Sequence, residues 1–160
     1  MPIAVDEKVE NAALIGDFSL PGFVAEAIAS QLPLAAACLV ADDPDILPDI
    51  PADLRLGFDQ AALDRAPIDA EEVLVRLRQI LASRPNAAGL VVHMGWVVGN
   101  LHGVTGIETW GGLADRLAQD LGMPVISVYD QDLVIEEQMQ AALRAHRQFV
   151  LPIAVHKRLG

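Results

Sequence analysis

The groups best suited to chemistry crowd into one stretch, residues 93–112, HMGWVVGNLHGVTGIETWGG. It holds both tryptophans, Trp96 and Trp110, two of the four histidines, His93 and His102, and six of the twelve glycines. A histidine beside a carboxylate can move protons, and His93 has two sequence candidates for that partner, Glu108 and Asp130. Two histidines and one carboxylate also suit zinc, but His93, His102 and Glu108 do not follow the spacing of any short zinc motif. No metal site and no catalytic set is therefore assigned. The candidate ligand-binding residues are His93, Trp96, His102, Glu108, Trp110, Tyr129 and Asp130. Each has a structural alternative. Asp130 suits a helix N-cap, Trp110 lies on an apolar helical stripe, and Trp96 serves equally as pocket wall or core plug.

What is absent narrows the chemistry. There is no GxxxxGK[ST] to cradle a phosphate, no GxSxG elbow, and at best a fragment of GxGxxG at Gly103 and Gly106. The sole cysteine, Cys38, lies in the apolar run 34–40, so no intrachain disulfide and no cysteine-based zinc site is possible. It reads as a small core residue. The aspartates of ADDPDILPDIPAD lack the alternation, glycine and terminal glutamate of a calcium loop and read as a solvated acidic loop.

Elements that could position these residues follow from periodicity and end signals. A short amphipathic helix is expected over 22–32, with Phe23, Ala27, Ile28 and Leu32 inward, then strands over 34–41 and 53–58. Asp69 caps a helix running to about Ala82, and a buried strand over 88–93 ends in His93. The glycine-rich run after it is expected to bend sharply and let backbone approach a ligand. A helix then opens at Thr105 or Gly106 and ends at Gly122. The strand 124–129 leads to a helix over 133–146, capped by Asp130 or Asp132, with Ile135, Met139, Ala142, Leu143 and His146 inward. A last strand covers 148–155. Strands alternating with helices predict an α/β fold, a three-layer, mostly parallel sheet flanked by helices, as one domain over residues 1–160. In such a sheet ligands bind beyond the carboxyl ends of the strands, where His93, Trp96, Tyr129 and Asp130 fall.

Bulk composition agrees. The chain is 52% hydrophobic and 21% charged with mean hydropathy +0.35, which suits strands covered on both faces and leaves apolar surface for a homo-oligomer. Net charge is -11, with fifteen of the twenty-two acids in residues 1–72, so direct nucleic-acid binding is not expected. The basic tail His156-Lys157-Arg158 reads as a solvated end. Gly95, Gly99 and Gly103 repeat as in docked membrane helices, but His93, Asn100 and His102 interrupt the apolar run, and no membrane span is expected. The acidic N-terminus is unlike a secretory signal, and a cytoplasmic location is the expectation.

Residues 68–150 resemble the MEDS domain, the sensory domain of DcmR-type regulators. The likeness lies in the order of five features: an acid-capped helix (68–72), Met94-Gly95-Trp96 after a strand, an acid-bearing helix (108–121), a strand ending in Tyr129-Asp130, and Ala142 to His146 closing a helix. Val128 stands where that family usually has cysteine, and the family's His-bearing first strand has no counterpart in the sequence. The resemblance implies a RecA/KaiC-like core without a Walker A loop. It also implies a sensory role, with a small organic, hydrocarbon-like ligand and no cofactor. The function expected is a non-enzymatic sensory module that binds a small, largely apolar molecule at the carboxyl edge and signals through a regulatory protein partner. An oligomeric scaffold, or an enzyme using His93 with a carboxylate, are the alternatives.

Overall fold

The computed structural model describes residues 10–65, 67–98 and 103–150. Its strands are β1 (Asn11–Gly16), β2 (Ala37–Ala41), β3 (Arg55–Gly57), β4 (Gly89–His93), β5 (Val125–Asp130) and β6 (Gln148–Val150). Its helices are α1 (Pro21–Ala29), α2 (Ala70–Ala82), α3 (Gly95–Val98), α4 (Gly103–Leu121) and α5 (Glu136–Ala145), with short 3-10 turns around β2 and β3. The six strands form one sheet in the order β3-β2-β4-β5-β1-β6, and every pairing is parallel. This is the α/β fold expected, with a sheet that is parallel throughout its described pairings.

Chain direction decides where a ligand can sit. The connections β1 to β2 and β2 to β3 run toward the β3 edge, while those through α2, α4 and α5 run the opposite way. Right-handed crossovers put the two sets on opposite faces. Accordingly α4 packs against both α2 and α5. Both faces of the sheet are covered, which is why all five residues of β2 and five of six in β5 are buried whatever their direction. Neighbouring strands whose connections leave to opposite faces open a crevice at their carboxyl ends. Here that happens at β2, between it and both β3 and β4, and between β5 and β1.

Several expectations need correction. β1 was not foreseen: Ala12-Ala13-Leu14 is fully buried beside β5, although only four residues separate the strand from α1. α5 begins at Glu136 with Ile135 as its N-cap, so neither Asp130 nor Asp132 caps it. Its buried face is Gln138, Ala141 and Ala142, followed by His146, while Ile135 and Leu143 are exposed. On α1 Ala27 and Ile28 are buried as expected, but Val24 takes the inward place expected for Phe23, which is exposed. Leu34–Ala36 is a 3-10 turn before β2, and residues 151–155 of the expected last strand lie outside the described residues.

Within the glycine-rich run, Gly95–Val98 form α3 and residues 103–112 the first half of α4, while residues 99–102 lie outside the described residues. Several of its described glycines permit close packing. A Cβ on Gly103 would lie 2.6 Å from the Val97 carbonyl oxygen, and one on Gly106 would lie 2.6 Å from Val97 Cγ1. One on Gly111 would lie 2.7 Å from both Cβ and carbonyl oxygen of Ala145. The absent side chains let α3 and α5 settle onto α4. Gly122 alone in the described chain is a glycine at positive φ (63°), where it closes α4 as expected.

Candidate functional site

A cleft of about 570 Å3 opens at the carboxyl edge over the β2/β4 crevice. Asp42 enters it as the first residue after β2. Phe58, Asp59 and Leu63 enter from the segment after β3, and His93, Gly95 and Trp96 from the end of β4 and α3. Leu133 reaches it from the loop after β5. The β3 side is shaped by a 3-10 turn over Phe58–Ala61 that ends at Ala62 in the left-handed region (φ 59°), after which Leu63 N–H donates to the Phe58 carbonyl (3.0 Å).

His93 is the centre of this site. Its ring meets the edge of Phe18 (centroids 4.9 Å, 75°) and lies over Phe58 (6.5 Å, 26°). Gly95 N–H donates to its Nδ1 at 3.1 Å, which in the neutral ring assigns the proton to Nε2. Gly95 has to be glycine for this approach, because a Cβ there would lie 2.8 Å from the ring. Burial lowers the His93 pKa, while the charges of Asp130 and Asp42 pull it upward. Burial prevails, so the imidazole is mostly neutral at pH 7 and offers Nε2–H as a donor.

Trp96 forms the opposite wall, half-buried, with its ring edge-on to Trp110 (6.2 Å, 84°). Its Nε1 is buried and has no hydrogen-bond partner among the described residues. Asp130 ends β5 beside β4, and its Oδ1 accepts from Asp132 N–H (3.0 Å). Thus His93, Trp96 and Asp130 share one edge, as expected.

The other candidates go elsewhere. Trp110 is fully buried in the core, where its Nε1–H donates to Ser127 Oγ at 2.7 Å. It supports Trp96 from behind and does not line the cleft around His93. Glu108 is exposed on α4 and ion-paired with Arg144 (3.6 Å), away from His93. Tyr129 is buried among the strands and helices. Its hydroxyl donates to His146 Nε2 (2.5 Å), and His146 Nδ1–H donates to Asn11 Oδ1 (2.7 Å). The direction follows from Asn11 Nδ2, which donates to Gly111 O, Asp115 Oδ1 and Ala145 O and so fixes the amide. This network ties β1, β5, α4 and the end of α5 together and is structural. His102 lies outside the described residues.

The residues not foreseen are Phe18, Asp42, Phe58, Asp59, Leu63 and Leu133. Asp42, Phe58 and Phe18 each follow a strand end closely, a signal that identifies rim residues once strand neighbours are known. The turn from β1 to α1 has its own character. Asp17 Oδ1 accepts from the N–H (2.9 Å) and hydroxyl (2.6 Å) of Ser19, which hold its carboxyl below the usual range. A strand–loop–helix phosphate site presents backbone N–H groups there; this turn presents a carboxylate. Among the described residues no group of three or more His, Cys, Asp or Glu is placed to hold a metal ion. No described helix is long and apolar enough to cross a membrane.

No family model matches the chain, and no curated protein matches it. Among solved structures it is similar to the Pif1 helicase from Candida albicans, at 8% identity and a TM-score of 0.46. The match covers 95% of this chain and 40% of the helicase chain.

Proposed function

We propose that this protein is a non-enzymatic binding module of the sensory or regulatory kind. Its ligand is a small, largely apolar organic molecule held at the carboxyl edge of the sheet, and its signal passes to a protein partner. The observation that carries this reading is the cleft. Its volume lies in the range of small-molecule sites, at a crevice the topology creates, with Phe58, Leu63, Trp96 and Leu133 as apolar walls beside the polar groups of Asp42, Asp59, Asp64, Arg65 and His93. His93 Nε2–H gives the ligand one directed donor. The MEDS-like order of residues over 68–150 favours a sensory role, and a cytoplasmic location is part of the proposal.

An enzyme reading has less support, since no hydrogen bond joins His93 to Asp130 or Glu108 among the described residues. A scaffold reading draws on a specific feature: Leu20, Phe23, Leu133 and Ile135, in the loops after β1 and β5 and at the start of α1, are each 42–56% exposed. In a sensor these same residues suit the surface that meets a partner or a second copy.

Native mass spectrometry of the purified protein, followed by denaturing analysis of whatever is released, tests the binding reading. A bound organic molecule, lost in Trp96→Ala, is the expected result. A ligand retained undiminished by Trp96→Ala would show the cleft to be the wrong place. An empty protein that runs as a defined oligomer would favour the scaffold.

A further inference from the structure

The charge around the cleft narrows the ligand class. Asp42 and Asp59 line it, and Asp130 lies close enough to raise the His93 proton affinity. Among the described residues none of the three is ion-paired; the cation beside Asp59 is Arg76, whose Nη1 donates to the Asp59 backbone carbonyl (3.1 Å). Every described arginine except Arg84 is ion-paired, and in no case to Asp42, Asp59 or Asp130. Arg84 donates to backbone carbonyls of Asp53 and Ile80. Arg65, the cation in the cleft lining, is held by Glu72 (2.7 Å) and Asp64 (3.8 Å). The cleft thus combines unpaired negative charge with two aromatic walls, Phe58 and Trp96. Carboxylates and π-faces around one apolar space attract an organic ammonium group, by direct attraction and by the ring quadrupoles, and repel anions. His93 Nε2, a donor without a partner among the described residues, adds a site for an acceptor atom on the same molecule.

We propose that the cleft selects a small organic cation, an amine with an apolar or aromatic body, over neutral and anionic molecules of the same shape. This rests on the cleft being a binding site at all. Asp42 and Asp59 supply the counter-charge, Phe58 and Trp96 the cation–π faces, and His93 a donor for a polar atom on the ligand.

The test is a matched set of probes on the full chain: benzylamine (protonated at neutral pH), benzyl alcohol and benzoate. Binding is followed by titration calorimetry and placed by amide NMR shifts at Gly95 and Trp96. Benzylamine is expected to bind at least about fivefold more tightly than benzyl alcohol, and benzoate most weakly. Raised salt should narrow the gap, because the carboxylates are at the rim. Asp42→Asn with Asp59→Asn should remove the preference, bringing benzylamine affinity down to that of benzyl alcohol. Both positions are exposed, so the double variant should fold normally. Equal binding of amine and alcohol at the cleft would overturn the charge selectivity while the binding reading stands. Tighter binding of benzoate would do the same. Failure of all three probes to shift the cleft amides would overturn both.

Discussion

The buried network of Tyr129, His146 and Asn11 makes stability depend on pH in a calculable way. His146 is buried, and both ring nitrogens are satisfied in the neutral form, with Nδ1–H donating to Asn11 and Nε2 accepting from Tyr129. Burial lowers its pKa from 6.5 to about 4, with Asp115 opposing. Tyr129, also desolvated, has its pKa raised and remains a neutral donor. A base with a lowered folded pKa takes up its proton first in the unfolded chain. Stability is therefore intact above about pH 6.5, falls as pH drops toward 4, and levels off below that. A gap of about 2.5 units is worth roughly 3 kcal/mol at 1.36 kcal/mol per unit. That is a large part of the 5–15 kcal/mol typical of a domain. The assay is urea unfolding at steps from pH 8 to pH 4 on the wild type and on His146→Asn. The variant keeps a donor toward Asn11, leaves the Tyr129 hydroxyl unpaired and cannot titrate. It should be about 1–3 kcal/mol less stable at pH 8 and should converge on the wild type at pH 4. Comparing the two chains cancels His93, which shifts in the same direction. A difference that stays constant across the pH range would refute the reasoning.

Other outcomes follow from single contacts. Trp110→Phe loses the bond to Ser127 and leaves a space in the core, so denaturant unfolding should report a loss of about 2–4 kcal/mol. Gly111→Ala drives a methyl group into the backbone of Ala145, where neither helix can yield cheaply, and thermal unfolding should show a loss of about 1–3 kcal/mol. Gly112→Ala, with open space around the added Cβ, is the control and should not lose stability. The thiol of Cys38, fully buried and with its pKa pushed up to about 11, should react with thiol reagents only when the chain unfolds; rapid labelling of the native protein would contradict its place in the core.

The alternation of strand and helix was legible because it rests on local signals. Asp69 caps α2 by accepting from Glu72 N–H (3.2 Å), and Gly122 at positive φ closes α4. The buried strands β2, β4 and β5 are runs that only a covered sheet can hide. From these the α/β class and the placement of His93, Trp96 and Asp130 at strand ends or just beyond them follow without coordinates. The strand order does not, because nothing local in Asn11–Gly16 marks a strand that will sit between β5 and β6. The purpose of the glycines was likewise hidden. A glycine that makes a turn and one that admits a neighbouring helix look alike in sequence, and only the approach of Val97 and Ala145 to α4 separates them. Trp110 and Tyr129 were read as site candidates by residue type, yet the core claimed both, since their polar atoms find buried partners in Ser127 and His146. The cleft's remaining walls come from segments after β2, β3 and β5, 28 to 51 residues from His93 in the chain. Sequence determined which elements form, since caps and periodicity act over a few residues. Tertiary structure decided which strand ends face one another, since that is set by crossovers and packing between parts of the chain that share no local signal.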